Sequence, residues 1–153
     1  MKKKKTIILR LITGILAISF MVLIFSFSAQ NGEQSSGTSG RIVNWMIEDI
    51  FQPILGTNEG AMAWLYENLG FLVRKLAHFS IYAALGMSLT GFFFTFEKLT
   101  KKKQILLAIL IGFLYATTDE LHQLFTADRS GQITDVMLDT VGVIAGTGII
   151  ALG

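Results

Sequence analysis

The residues of this chain able to do chemistry fall into four short groups. Lys75-x-x-His78-x-x-x-Tyr82 is one, with Arg74 just before it, and Asp119-Glu120-x-His122-Gln123 is the second. Arg129 and then Asp135-x-x-x-Asp139 form the third and fourth. Imidazole and carboxylate together suit general acid–base work or metal ligation. Guanidinium and ammonium suit an anion, the former in a bidentate grip. His78, Asp119, Glu120, His122, Asp135 and Asp139 are all of metal-ligating type, but their spacing matches no metal motif. A metal and any cofactor therefore stay open. No Walker loop, GxSxG, HExxH or GxGxxG is present, and neither Ser28 nor Ser130 has an evident triad.

What surrounds these groups decides their meaning. Hydrophobic residues make up 52% of the 153 and charged residues only 16%; mean hydropathy is +0.56. Soluble chains average about 25% charged residues, so too few charges are available here to clothe a water-facing surface. A net charge of +2 with clustered lysines does not point to nucleic acid. Zero cysteines exclude disulfides, a CxxC pair and thiolate metal sites. The chain reads as a single all-α membrane domain over residues 1–153.

Four runs approach the roughly 20 residues that cross a bilayer. They predict transmembrane helices over 7–27, 74–96, 104–125 and 133–152, with an extracytoplasmic segment over 28–73. The first run also resembles a signal peptide, Lys2 to Lys5 being followed by apolar residues and Ser26-Phe27-Ser28; its length favours a retained span. Lys2, Lys3, Lys4, Lys5 and Arg10 precede or open the first run, and Lys98, Lys101, Lys102 and Lys103 lie between the second and third. These two segments hold nine of the 13 basic residues. The positive-inside rule then places both termini in the cytoplasm.

The long first connection has its own pattern. Asn31 to Gly40 is rich in glycine and serine and predicts a turn or flexible segment. Ile42, Val43, Met46, Ile47, Ile50 and Phe51 share a helical face that Pro53 should end or bend. Ala61 to Leu69 predicts a second short helix. These two amphipathic helices either lie in the outer interface, with Trp45, Trp64 and Tyr66 at headgroup depth, or cap the bundle as core helices.

On this topology every polar group arrives at one side of the membrane. Lys75, His78, Tyr82 and Gly86 fall within about 80° of a helical wheel, and Asp135, Asp139, Gly142 and Gly146 within about 60°. The second stripe has acids above and small residues below, as for a face pressed on a neighbouring helix. Tyr115, Asp119, His122 and Gln123 span about 100°, with Glu120 displaced toward another partner such as Lys75 or Arg129. A charge at a helix centre costs about 2.5–3.5 kcal/mol, which favours pairing or a wet recess. The blander readings are a solvated helix end for Asp119 and Glu120, a hydrogen-bonded core histidine, and a polar cluster that only glues helices.

The residues also resemble VanZ-like proteins. The likeness rests on Phe27-Ser28-Ala29-Gln30, Lys75-x-x-His78-Phe79-x-x-Tyr82, Asp119-Glu120-x-His122-Gln123-x-Phe125, Arg129-Ser130-Gly131-x-x-x-Asp135-Val136 and Asp139-x-x-Gly142-x-x-x-Gly146. It runs from Phe25 to Gly146, apart from the segment Gly40 to Phe71. One departure is Asp139, where the family pattern Asp-x-x-x-Asn ends in asparagine. The resemblance implies a multi-span protein of the bacterial cytoplasmic membrane, in a family whose namesake is associated with low-level teicoplanin resistance. It supplies no mechanism and does not establish an enzyme.

Three functions compete. In the first, an outward-facing pocket binds an anionic envelope component: a lipid-linked cell-wall precursor or a phospholipid headgroup. Arg129, Arg74 and Lys75 would clamp it, with Gln30, Tyr82, Gln123, Asp135 and Asp139 lining the pocket. In the second, a hydrolase or transferase acts on a lipid-linked phosphate or glycan, with His78 and Glu120 as the acid–base pair beside Asp119. In the third, the cluster is structural.

Overall fold

The computed structural model describes residues 2–30, 32–56, 58–126 and 131–153. Every regular element among these residues is helical: α1 (Lys2–Ser28), α2 (Gly32–Met46), a π-helical turn (Ile47–Phe51), α3 (Gln52–Leu55), α4 (Glu59–Phe94), α5 (Lys101–Gln123) and α6 (Ile133–Leu152). Helices α1, α4, α5 and α6 are each long and apolar enough to cross a membrane. At 1.5 Å per residue the 36 residues of α4 extend about 54 Å, well past a hydrocarbon core of about 30 Å.

The exposed faces are inverted relative to a water-soluble bundle. Leu11, Ile15, Ile18 and Val22 line the outside of α1, and Leu110, Leu114, Met137, Val141 and Ile149 do so on α5 and α6. With lipid as solvent these side chains are matched, while backbone polar groups must be satisfied within each helix. The interior is small and tightly packed. Tyr82, Leu85, Ala108, Ala116 and Val143 are fully buried, joined by Ala17, Ile24 and Leu89.

The helices are joined by specific local chemistry. Asn58 caps α4, its Oδ1 accepting the Ala61 N–H at 3.1 Å. Thr100 caps α5. At the end of α4 carrying the lysine-rich loop, Arg10 donates to the Thr95 hydroxyl at 2.9 Å and to its carbonyl at 2.8 Å. The same guanidinium lies 4.0 Å from the Phe96 ring centroid. Tyr115 donates to the Met21 carbonyl at 2.5 Å, tying α5 to α1.

The first connection departs from expectation in two ways, and Pro53, expected to end or bend the helix, falls just before its end. The glycine- and serine-rich stretch is helical from Gly32 rather than a turn. Ser39, Val43 and Ile47, at i, i+4 and i+8, bury one face, so packing outweighs the weak helix propensity of glycine and serine. Pro53 sits in the first turn of α3, after the π turn, where a missing N–H is tolerated, and the helix stops at Gly56, whose positive φ of 65° suits glycine. The stretch Ala61 to Leu69 is not a separate helix but part of the N-terminal third of α4, because neither proline nor a turn signal interrupts Glu59 to Phe94. Val43, Ile47, Leu65 and Leu69 form a satellite core between this extension and α2. Trp45, Trp64 and Tyr66 remain exposed around it.

Candidate functional site

The site is positioned by the contact between α4 and α6, the most extensive among the described residues. Three glycines make that contact possible. A Cβ at Gly86 would stand 2.3 Å from the Val143 carbonyl oxygen, one at Gly142 2.6 Å from that of Phe79, and one at Gly146 1.9 Å from that of Ala83. The two backbones therefore touch, as small-residue stripes permit in lipid. Gly142 lies one turn beyond Asp139, and Phe79 follows His78. The same register sets imidazole and carboxylate face to face, His78 Nδ1 lying 3.6 Å from Asp139 Oδ2.

Helix α5 brings the third member. Gln104, Ala108, Gly112, Ala116, Asp119, Glu120 and Gln123 form its buried stripe, small residues leading to polar ones. One ligand-type atom from each of His78, Asp119 and Asp139 lies within 4.8 Å of the others. Asp139 is fully buried and Asp119 is 4% exposed. The hydroxyls of Ser28, at the end of α1, and of Tyr82 flank the Asp119 carboxylate, and both residues are fully buried. Ser28 Oγ, Tyr82 OH, Asp119 Oδ1 and both Asp139 oxygens have no hydrogen-bond partner of good geometry among the described residues.

A second layer surrounds this centre. Lys75 forms an ion pair with Asp135, both side chains about a quarter exposed. Gln123 Nε2 donates to Asp119 Oδ2 at 3.4 Å and to Glu120 Oε1 at 3.3 Å. Glu120 Oε2 accepts the backbone N–H of Gln132, the N-cap residue of α6, at 2.9 Å. Glu120 thus ties the end of α5 to the start of α6. It does not pair with Lys75, whose partner is Asp135, and the imidazole faces Asp119 and Asp139 instead.

Beside the centre lies an apolar groove of about 230 Å³ between α1, α2 and α4. Ile24, Phe27, Ile42, Val73, Ala77 and Ile81 form its walls, and Gln30, Ser39, Arg74 and His78 are its polar lining. His78 belongs to both groove and buried cluster, and connects them.

Of the residues expected from sequence, His78, Tyr82, Asp119, Gln123 and Asp139 converge, with Lys75, Glu120 and Asp135 around them. Gln30 and Arg74 line the groove. His122 turns away and stacks on Phe25, ring centroids 4.8 Å apart. Arg129 lies outside the described residues. Sequence reasoning underrated Ser28, whose signal was its helical register with Ala17 and Ile24, the other buried positions of α1. The groove was also missed, because Ile42 and Val73 fall in the stretch read as extracytoplasmic.

Four long apolar helices, shorter helices between the first two, and a buried polar cluster define a multi-pass membrane protein. The VanZ/LLP1 family profile matches residues 13–153, and the chain belongs to that family. Comparison with curated proteins and with solved structures gave no match.

Proposed function

We propose that this protein sits in the bacterial cytoplasmic membrane with both termini cytoplasmic, and that its outward-facing recess binds an anionic, lipid-linked component of the envelope. The groove beside His78 carries the reading. It is apolar along Ile24, Phe27, Ala77 and Ile81, as a lipid chain requires, and it bears Arg74 and Gln30 one to two helical turns further out. A guanidinium there suits a phosphate or carboxylate headgroup. The headgroup belongs to a phospholipid or a cell-wall precursor, and sequestering the latter would lower susceptibility to teicoplanin-type glycopeptides.

The test is lipid retention by the purified full chain in native mass spectrometry, with polyprenyl phosphate, phosphatidylglycerol and a neutral diacylglycerol offered in competition. Retention of one anionic lipid that falls in Arg74→Ala at unchanged folding supports the reading. Equal retention of neutral and anionic lipids, or no effect of Arg74→Ala, overturns it.

A second reading, hydrolysis or transfer on a lipid-linked phosphate, is favoured by one observation: His78 borders the groove on one side and a buried carboxylate on the other. Its acid–base pair is then His78 with Asp139 rather than with Glu120. Release of phosphate or glycan from labelled polyprenyl substrates, lost in His78→Gln, distinguishes catalysis from binding.

A further inference from the structure

We propose that His78, Asp119 and Asp139 bind a divalent transition-metal ion, with the Ser28 and Tyr82 hydroxyls beside it. The inference stands apart from the lipid-binding reading, since it concerns the buried cluster and not the groove.

Ligand distance is the first argument. Ligand atoms held about 2.0–2.4 Å from one ion stand about 3–4.8 Å from each other. An imidazole nitrogen and one oxygen from each of two carboxylates here lie within 4.8 Å of one another, so an ion fits between them with small side-chain adjustments.

Unmet polarity is the second and independent argument. Tyr82 and Ser28 are fully buried, their hydroxyls flank Asp119, and neither oxygen has a hydrogen-bond partner of good geometry among the described residues. Asp119 Oδ1 and Asp139 Oδ1 are in the same condition, and Asp139 Oδ2 faces only the His78 imidazole, at 3.6 Å, among the described residues. Buried polar atoms are ordinarily partnered, and unpartnered ones that converge point to something between them. Two carboxylates side by side in a low-dielectric interior repel, and each has lost its hydration. The ammonium of Lys75, one turn from His78 on α4, is taken by Asp135. An ion bearing two positive charges satisfies both acids at once.

The donor set narrows the metal. One imidazole with two carboxylates is of the class used by Mn²⁺, Fe²⁺ and Zn²⁺, whereas the absence of thiolates from the whole sequence disfavours Cu⁺. Three protein ligands would leave further coordination positions for water or a phosphate oxygen.

The experiment uses the full chain in nanodiscs, with Mn²⁺ alone as the probe. Electron paramagnetic resonance titration should give one saturable site per chain, and Mn²⁺ should raise the thermal unfolding midpoint. Asp139→Asn and Asp119→Asn should abolish both effects. The assignment of the imidazole is tested without touching an acid. In protein labelled with ¹⁵N-histidine, the bound Mn²⁺ should show nitrogen hyperfine coupling that survives His122→Gln and vanishes in His78→Gln. Absence of a saturable site in the wild-type chain overturns the proposal. So does coupling that persists in His78→Gln, or undiminished binding in both asparagine variants, which would mark surface acids as the site. Should either asparagine variant fail to fold, the labelled wild-type and His122→Gln proteins decide the question.

Discussion

Gly146 packs directly against the backbone of Ala83, so closely that an added Cβ would stand 1.9 Å from the Ala83 carbonyl oxygen. That carbonyl belongs to α4 just over one turn below His78. Any substitution at Gly146 must move α6 away from α4, and with it Asp139 away from His78. The stability of the bundle and the geometry of its polar cluster thus share one contact.

Gly146→Leu should therefore destabilise the protein by about 1–3 kcal/mol or more through overpacking. At Gly148, two residues on, an added Cβ would meet nothing within 4 Å among the described residues. Gly148→Ala should be neutral or stabilising by up to about 1 kcal/mol, from helix propensity alone. Thermal unfolding in detergent compares the two.

The Lys75–Asp135 pair joins α4 to the first turn of α6. Lys75→Met and Asp135→Asn should each lower stability, and the double variant should lose less than the sum, with a coupling of about 1 kcal/mol. Strict additivity in the double-mutant cycle would show the pair to be energetically idle.

Arg10 acts at the opposite end of the bundle. Its two hydrogen bonds to Thr95 and its place over the Phe96 ring hold α1 to the end of α4. Charge-assisted hydrogen bonds contribute about 1.5–3 kcal/mol each. Arg10→Ala should reduce the unfolding midpoint and leave lipid retention by the folded fraction unchanged. A parallel loss of both would mean that the two ends of the molecule are coupled.

The proposed orientation makes a separate prediction. Reporter fusions after Leu99 should register as cytoplasmic, and fusions after Gly56 as external. The reverse pattern would turn the recess toward the cytoplasm and remove the envelope ligand from reach.

The helical nature of the chain was legible because lipid enforces it: backbone polar groups there are satisfied in helices or closed barrels, and unbroken apolar runs of about 20 residues lack the alternation of barrel strands. The stripes on α4 and α6 were legible too. Lys75, His78, Tyr82 and Gly86, and Asp135, Asp139, Gly142 and Gly146, follow from 3.6-residue periodicity alone. The family motifs read in the sequence fall within the segment matched by the VanZ/LLP1 profile. Helix extents were less legible. Propensity marked Asn31 to Gly40 as a turn or flexible segment and Pro53 as an end or a bend, but Ser39, Val43 and Ile47 bury a face whose partner, Leu65 with Leu69, lies on the next long helix. No local signal reports such a partner.

By itself, the order of residues determined that this is a helical membrane protein and which stripes α4 and α6 turn inward, since both depend on composition and on the period of a single helix; on α5 the same period misplaced Glu120 and His122. Which inward side chains meet was decided only in three dimensions. Helix register is set by atomic contact between separate segments, here three glycines against three carbonyls. That contact selected Asp139 for His78 and gave Asp135 to Lys75, while the packing of α5 on its neighbours tied Glu120 to the start of α6 and set His122 against Phe25.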